Sequence, residues 1–108
     1  MIPDEVATAV VTLAELNAGV LAARTSEIRG RRIRTLCAIS DMTALPVDEA
    51  AAQHWALLRV RLAEAGRRAR VNDLWIAAIA ATKGLPVVTQ DLDFDALEDV
   101  AGVAIIRV

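Results

Sequence analysis

Apolar and polar residues alternate along this chain with two different periods, one typical of strands and one typical of helices. Short apolar runs predict strands at residues 7–12, 44–47, 86–89 and 103–108. Longer segments with apolar residues every three or four positions predict helices at residues 12–23, 27–40, 49–65 and 73–83. Because strands that alternate with helices form βα units, we expect an α/β fold with an α/β/α arrangement around a parallel sheet.

The residues at the predicted helix ends support these boundaries. Thr12-x-x-Glu15 has the form of a capping box at the start of the first helix. Asp48 and Asn72 are good N-caps for the third and fourth helices. The same two helices are expected to end at Gly66 and Gly84. An acidic turn at residues 90–95 and a short helical turn at residues 95–100 precede the last strand.

Length and composition indicate one folded domain spanning residues 1–108. Apolar residues make up 56% of the chain and the mean hydropathy is +0.43, which excludes a disordered protein. No apolar run approaches the roughly 18–20 residues that span a bilayer. Asp4 and Glu5 lie where a signal peptide would carry positive charge, so we expect a cytoplasmic protein.

Charge and cysteine content restrict the chemistry further. The net charge is −2, yet arginines cluster at residues 29–34 and 67–70. Arginine binds phosphate well, although such clusters also occur on ordinary solvated helix faces. Cys37 and His54 are the only residues of their types, which excludes an internal disulfide and zinc sites built from several Cys or His ligands. A metal bound here would have oxygen ligands, which favours Mg²⁺ or Mn²⁺.

Several carboxylates lie beside apolar segments that are expected to form the core. They are Glu15, Asp73, Asp91 and Asp93. Each has a local explanation as a capping residue, a helix-dipole partner or a turn residue. However, functional sites in parallel sheets lie beyond the carboxyl ends of the strands. Glu15 and Asp91 follow predicted strands and Asp73 begins a helix, so we expect these acids to converge at one edge of the sheet.

These segments, taken in order, resemble the PIN-domain ribonucleases, and most closely the VapC toxins of type II toxin–antitoxin systems. The similarity lies in VVTLAELNAGV, in VNDLWIAAIAATKGLPVVTQDLDF and in the terminal strand. The resemblance implies that Glu15, Asp73 and Asp91 are catalytic residues and metal ligands, and that Asp93 is a further metal ligand. It also implies supporting roles for two hydroxyl residues, Thr12 and Thr89.

The function implied by the resemblance is that of an endoribonuclease toxin that uses Mg²⁺ or Mn²⁺ and is neutralised by a VapB-type antitoxin. A homodimer is also expected. Phosphates of the RNA would be held by arginines of the two clusters, namely Arg31, Arg32, Arg67, Arg68 and Arg70.

The start of the chain departs from the family pattern. Family members begin with a strand, central in their sheet, that ends in a first acidic ligand, and Met1 falls directly before the second strand of that pattern. Asp4 is not a replacement, because its surroundings do not predict a buried strand. We therefore expect an N-terminally incomplete domain, through a misplaced start, clipping, a strand supplied by another chain, or natural truncation.

Two other functions remain open at this point. A truncated PIN-like module could be catalytically inactive and bind only its antitoxin or a dimer partner. A different α/β metal enzyme, such as a receiver-like domain or a phosphatase, is disfavoured because Lys83 lies in the wrong element for a receiver.

Overall fold

A computed structural model describes residues 7–108 of the chain. In this part the elements follow the order β1 (Ala7–Ala9), α1 (Val10–Leu21), α2 (Ser26–Ser40), β2 (Thr43–Leu45), α3 (Glu49–Glu64), α4 (Val71–Thr82), β3 (Val87–Thr89), a 3₁₀-helix (Leu92–Leu97) and β4 (Ile105–Arg107). The prediction of an α/β fold with parallel strands is confirmed. The described residues form two compact units, one up to Pro46 and one from Val47 to Val108. The interpretation of Asp4 concerns a residue outside the described part of the chain.

The described strands form two separate two-stranded parallel sheets, β1–β2 and β3–β4. In the first unit, β1 and β2 are in register from the Ala7–Thr43 pair to the Ala9–Leu45 pair. Helices α1 and α2 of this unit pack against each other, and Arg32 Nη1 donates to the Gly19 carbonyl at 2.6 Å.

Helix α1 begins earlier than the sequence predicts. Its N-cap is Ala9, which provides no side-chain cap, and Thr12 and Glu15 both lie inside the helix. The predicted capping box is therefore wrong. The pairing of β1 with β2 ends at Leu45, and Pro46 follows with no N–H to donate. Residues after Ala9 therefore have no strand partner beyond Leu45. Their backbone N–H and C=O groups form the hydrogen bonds of helix α1 instead.

The core of the second unit lies between α3, α4, the β3–β4 sheet and the 3₁₀-helix. Its buried members are Leu58, Leu62, Leu74, Ala77, Ala78, Val87, Phe94, Leu97, Val100 and Val103. Because Ala77 and Ala78 are small and fully buried, α4 can pack closely against its neighbours. Trp55 of α3 stacks on Trp75 of α4 with ring centroids 5.1 Å apart.

The ends of α3 are those the sequence predicts. Asp48 is the N-cap, and its Oδ1 accepts a hydrogen bond from the Ala51 N–H at 2.8 Å. At the other end, Gly66 has φ of +68°, and the Arg67 N–H donates to the Leu62 carbonyl at 2.9 Å. This is a Schellman motif, which needs a left-handed residue and so favours glycine. Helix α4 ends in the same way at Gly84, which has φ of +67°.

The start of α4 differs from the prediction. Arg70 is the N-cap and the helix begins at Val71, so the prediction of Asn72 as the cap is wrong. The Arg70 carbonyl already accepts the first helical bond, from the Leu74 N–H at 2.9 Å. The earlier start places Asp73 within the first turn rather than at its edge. None of the described helices is both long enough and apolar enough to cross a membrane.

Candidate metal centre

Three aspartates of the second unit come together where α4 begins and β3 ends. One carboxylate oxygen each from Asp73, Asp91 and Asp93 can be chosen so that all three atoms lie within 4.8 Å of one another. Asp73 is contributed by α4, and the other two lie in the segment that follows β3. Asp73 and Asp91, two of the three acids that we expected to converge, therefore lie close together, and the convergence of Glu15 with them stays a prediction.

Asp73 is the most constrained member of this group. It is 8% exposed, and among the described residues it is the one buried charged side chain. Burial of an ionised carboxylate is costly unless nearby positive charge or hydrogen-bond donors compensate it. The N-terminus of α4 supplies part of that compensation through its dipole, and a cation between the three carboxylates would supply more.

A short chain of hydrogen bonds orients Asp91 and Asp93. The Asp91 N–H donates to Thr89 Oγ1 at 2.9 Å, and Asp91 Oδ1 accepts from the Asp93 N–H at 2.8 Å. Asp91 thereby caps the 3₁₀-helix, which begins at Leu92, three residues earlier than the predicted turn at residues 95–100. The helix is anchored in the core by buried Phe94 and Leu97, while Asp91 and Asp93 remain exposed.

The donor set fits a hard divalent cation. Oxygens bound to one Mg²⁺ at about 2.1 Å each lie at most about 4.2 Å apart. The carboxylate oxygens here are within 4.8 Å of one another, so small rotations of the exposed Asp91 and Asp93 side chains would bring them to that spacing. Oxygen ligands of this kind suit Mg²⁺ and Mn²⁺ better than soft or nitrogen-preferring metals.

The arginines predicted to bind RNA have different surroundings. Arg70 Nη2 lies 3.0 Å from Asp93 Oδ2, so this guanidinium is engaged by the acidic group. Arg67 Nη1 donates to the Ala96 and Glu98 carbonyls, both at 3.5 Å. Arg68 is exposed, and its side chain makes no ion pair or hydrogen bond within the described residues. Of these three side chains, that of Arg68 is therefore the most available to a phosphate.

The remaining predicted site residues belong to the first unit. Glu15 is exposed on α1, and Thr12 lies inside the same helix. Arg31 and Arg32 lie on α2, where Arg32 is held by the Gly19 carbonyl. The roles of these four residues in a shared site stay predictions.

Sequence reasoning missed Arg107. This residue of β4 pairs with Asp95 and, at 3.3 Å, with Glu98 Oε2. The sequence assigns Arg107 only to a terminal strand, and Asp95 only to a turn, so no local pattern indicates that the two meet. The single histidine also has a structural contact, since His54 Nε2 lies 2.8 Å from the Ala101 carbonyl.

Comparison with known proteins identifies relatives over the whole chain. The profile of the PIN domain family matches residues 1–100. Ribonuclease VapC5 of Mycobacterium tuberculosis is 63% identical over 108 residues, which is 100% of this chain and 80% of the relative. Ribonuclease VapC4 of the same species is 43% identical over 96 residues, covering 89% of this chain and 74% of the relative.

Solved structures of VapBC proteins are also similar to this chain. The VapBC-5 toxin–antitoxin structure from Mycobacterium tuberculosis matches with a TM-score of 0.95 at 64% identity, covering 99% of this chain and 85% of that chain. A DNA-bound VapBC structure from Salmonella typhimurium matches with a TM-score of 0.75 at 29% identity, covering 92% and 72% of the two chains. The VapBC2 structure from Rickettsia felis, at 19% identity with a TM-score of 0.79 and coverage of 96% and 75%, shares the fold.

Proposed function

Because this chain belongs to the PIN-domain family, we propose that it is a VapC-type toxin, a metal-dependent endoribonuclease that a VapB-type antitoxin neutralises. The observation that carries the proposal is the convergence of Asp73, Asp91 and Asp93, whose carboxylate oxygens lie within 4.8 Å of one another. The names of the relatives support RNA as the substrate class. The cytoplasm is then the proposed place of action.

Asp73, Asp91 and Asp93 are the proposed ligands of Mg²⁺ or Mn²⁺, and the resemblance adds Glu15 as a fourth. When bound, such a cation supplies Lewis-acid stabilisation of the charge that develops on a scissile phosphate. The chain's own contribution is to hold the ligands in place. Burial fixes Asp73, and the hydrogen bonds through Thr89 orient Asp91.

Positive groups beside the acids are suited to hold the RNA backbone. Arg68 is exposed next to the start of α4, and Arg70 reaches Asp93 from the N-cap of that helix. Guanidinium groups bind phosphates without reading base sequence, so they would position a strand over the carboxylates. Arg31 and Arg32 of α2 are proposed as further phosphate contacts.

The partner proposed from the comparisons is a VapB-type antitoxin, because the matching structures at 64% and 29% identity are both of VapBC proteins. The surface near the acidic group suits a partner with apolar and basic side chains. Val71 and Leu92 are 58% and 70% exposed, and each is adjacent in sequence to one member of the Arg70–Asp93 pair. A homodimer stays a prediction from the resemblance.

The catalytically inactive alternative is less favoured. A module that only binds a partner has no need to bury a carboxylate next to two others, since their mutual repulsion costs stability. The three aspartates are better explained by a cation that offsets that cost.

Cleavage of labelled RNA with Mn²⁺ or Mg²⁺ tests the proposed function. We expect the wild-type chain to cleave and Asp73→Asn to lose more than about 100-fold in rate, since even an outer partner of a metal ligand is worth roughly 10- to 100-fold. Asp48→Asn is the matched control, because it removes an aspartate charge from an N-cap where asparagine serves equally well. Equal activity of Asp73→Asn and wild type would refute the site assignment. No cleavage by any protein, with antitoxin binding retained, would favour the inactive module.

A further inference from the structure

We propose that Arg107 is a positioning residue that holds the segment carrying Asp91 and Asp93 at its spacing from Asp73. The inference rests on the proposed metal site and goes beyond it, because Arg107 lies outside the acidic group and forms its ion pairs with Asp95 and Glu98. Two features of the 3₁₀-helix support it: the long backbone hydrogen bonds at the helix ends, and the ion pairs that Arg107 makes with Asp95 and Glu98.

The backbone hydrogen bonds at the two ends of the 3₁₀-helix, Leu92–Leu97, are long. The Phe94 nitrogen lies 3.4 Å from the Asp91 carbonyl oxygen, and the Glu98 nitrogen lies 3.3 Å from the Asp95 carbonyl oxygen. Both distances exceed the usual range of about 2.7–3.2 Å for such bonds, and 3₁₀ geometry is intrinsically poorer than α-helical geometry. Phe94 and Leu97 fix the inner side by burial. The exposed side, which includes both metal-site aspartates, therefore needs another restraint.

Arg107 supplies that restraint on the exposed side. Its guanidinium pairs with Asp95 and with Glu98 Oε2, the latter at 3.3 Å. Side chains three residues apart lie on the same side of a 3₁₀-helix, so one guanidinium can span Asp95 and Glu98 together. Arg67 adds contacts to the Ala96 and Glu98 carbonyls at 3.5 Å.

The position of Arg107 in the sheet connects both ends of the segment. Arg107 is the parallel partner of Thr89, and the Val108 N–H donates to the Thr89 carbonyl at 3.3 Å. Thr89 Oγ1 in turn accepts from the Asp91 N–H at 2.9 Å. Thr89 of β3 thus holds the start of the segment at Asp91. Its partner on β4, Arg107, holds the other end through Asp95 and Glu98. The two ties together restrain the whole segment that carries Asp91 and Asp93.

A direct contact of Arg107 with RNA phosphate is the competing interpretation, since the side chain is 38% exposed. However, Arg107 is engaged by two carboxylates, so the trio with Asp95 and Glu98 carries a formal charge of −1. A negatively charged trio does not attract a phosphate. Electrostatics therefore favours the positioning role.

The test is the Mn²⁺ affinity of the full chain, measured by calorimetry without RNA. Partners that touch a metal ligand directly are worth roughly 10- to 100-fold in metal affinity, and Arg107 acts one step further away, so we expect Arg107→Gln to weaken Mn²⁺ binding by about threefold to tenfold. Arg61→Gln is the matched control. Arg61 forms a comparable exposed pair with Glu64 at 3.2 Å on α3 and should leave the affinity unchanged. Arg107→Lys should restore part of the loss.

The outcomes separate this inference from the proposed function. If wild type binds Mn²⁺ and Arg107→Gln binds it as tightly as Arg61→Gln does, the positioning role is wrong and the metal site stands. An unchanged Mn²⁺ affinity with a raised KM for RNA would assign Arg107 to phosphate binding instead. If wild type binds no Mn²⁺, both the metal site and this inference fail. Circular dichroism checks folding, and Asp95→Asn, which keeps the arginine, should weaken Mn²⁺ binding in the same direction.

Discussion

Replacing Asp73 with asparagine tests the acidic group at its most buried member. The change keeps the size of the side chain and one acceptor oxygen, and it removes the negative charge. The wild-type residue is 8% exposed, and its carboxylate lies within 4.8 Å of those of Asp91 and Asp93. The variant therefore relieves repulsion within the group and removes a proposed ligand at the same time.

Repulsion within the acidic group and the helix dipole act in opposite directions on the stability of the cation-free variant. Unit charges 4.8 Å apart repel by about 0.9 kcal/mol in water and by about 3.5 kcal/mol at an effective dielectric constant of 20. An acid in the first turn of a helix gains about 0.3–1 kcal/mol from the helix dipole. Asp73 has two carboxylate neighbours, and Arg70 offsets the charge of Asp93. Repulsion is still the larger effect, and we expect Asp73→Asn to raise the free energy of unfolding by about 1–3 kcal/mol.

Thermal denaturation followed by circular dichroism is the assay. In EDTA the variant should melt at least about 4 °C above wild type, since each kcal/mol shifts Tm by roughly 4–8 °C for a domain of this size. Excess Mn²⁺ should stabilise wild type, by about 2.7 kcal/mol at 100 times Kd, and should leave the variant nearly unchanged. Asp48→Asn should stay within about 0.5 kcal/mol of wild type in EDTA. A variant that is less stable than wild type in EDTA and gains as much from Mn²⁺ would refute the reasoning.

Three further substitutions test other parts of the account. Arg70→Gln removes the guanidinium 3.0 Å from Asp93, which competes with a cation for that carboxylate, and should tighten Mn²⁺ binding severalfold in calorimetry. Arg68→Gln should change the Mn²⁺ affinity less. Equal effects of the two substitutions would mean that only the net charge matters. Thr89→Val removes the acceptor for the Asp91 N–H and should weaken Mn²⁺ binding by about threefold to tenfold, whereas Thr89→Ser should not. Gly84→Ala places a side chain at φ of +67° and should lower the free energy of unfolding in urea by about 1–2 kcal/mol, while Gly30→Ala, inside α2 with ordinary 3.7 Å contact to Arg34, should raise it by about 0.5–1 kcal/mol.

The parts of the fold that sequence reasoning predicted correctly are those with a strong local signal. Asp48 and Gly66 define the ends of α3 because an N-cap acceptor and a left-handed C′ residue are local requirements. The convergence of Asp73 with Asp91 followed from the topology, because helix starts and strand ends meet at one edge of a parallel α/β arrangement.

The errors concern places where tertiary pairing overrides local preference. Thr12 and Asn72 are both good caps, yet each lies inside a helix that begins earlier. In the first case the β1–β2 ladder ends at Leu45, ahead of Pro46, which a local pattern around Thr12 does not reveal. The arginines show the same limit. The resemblance assigned Arg67 and Arg70 to RNA phosphates, but contacts distant in sequence engage both within the protein.

The most direct test of the central claim is the position of Mn²⁺ in crystals of the protein, located by its anomalous scattering. We predict a peak within bonding distance of one carboxylate oxygen each from Asp73, Asp91 and Asp93, and no peak there in Asp73→Asn crystals grown under the same conditions. The same map would show whether Glu15 is also a ligand. An ordered Mn²⁺ elsewhere on the protein, with the three aspartates uncoordinated at saturating Mn²⁺, would contradict the account.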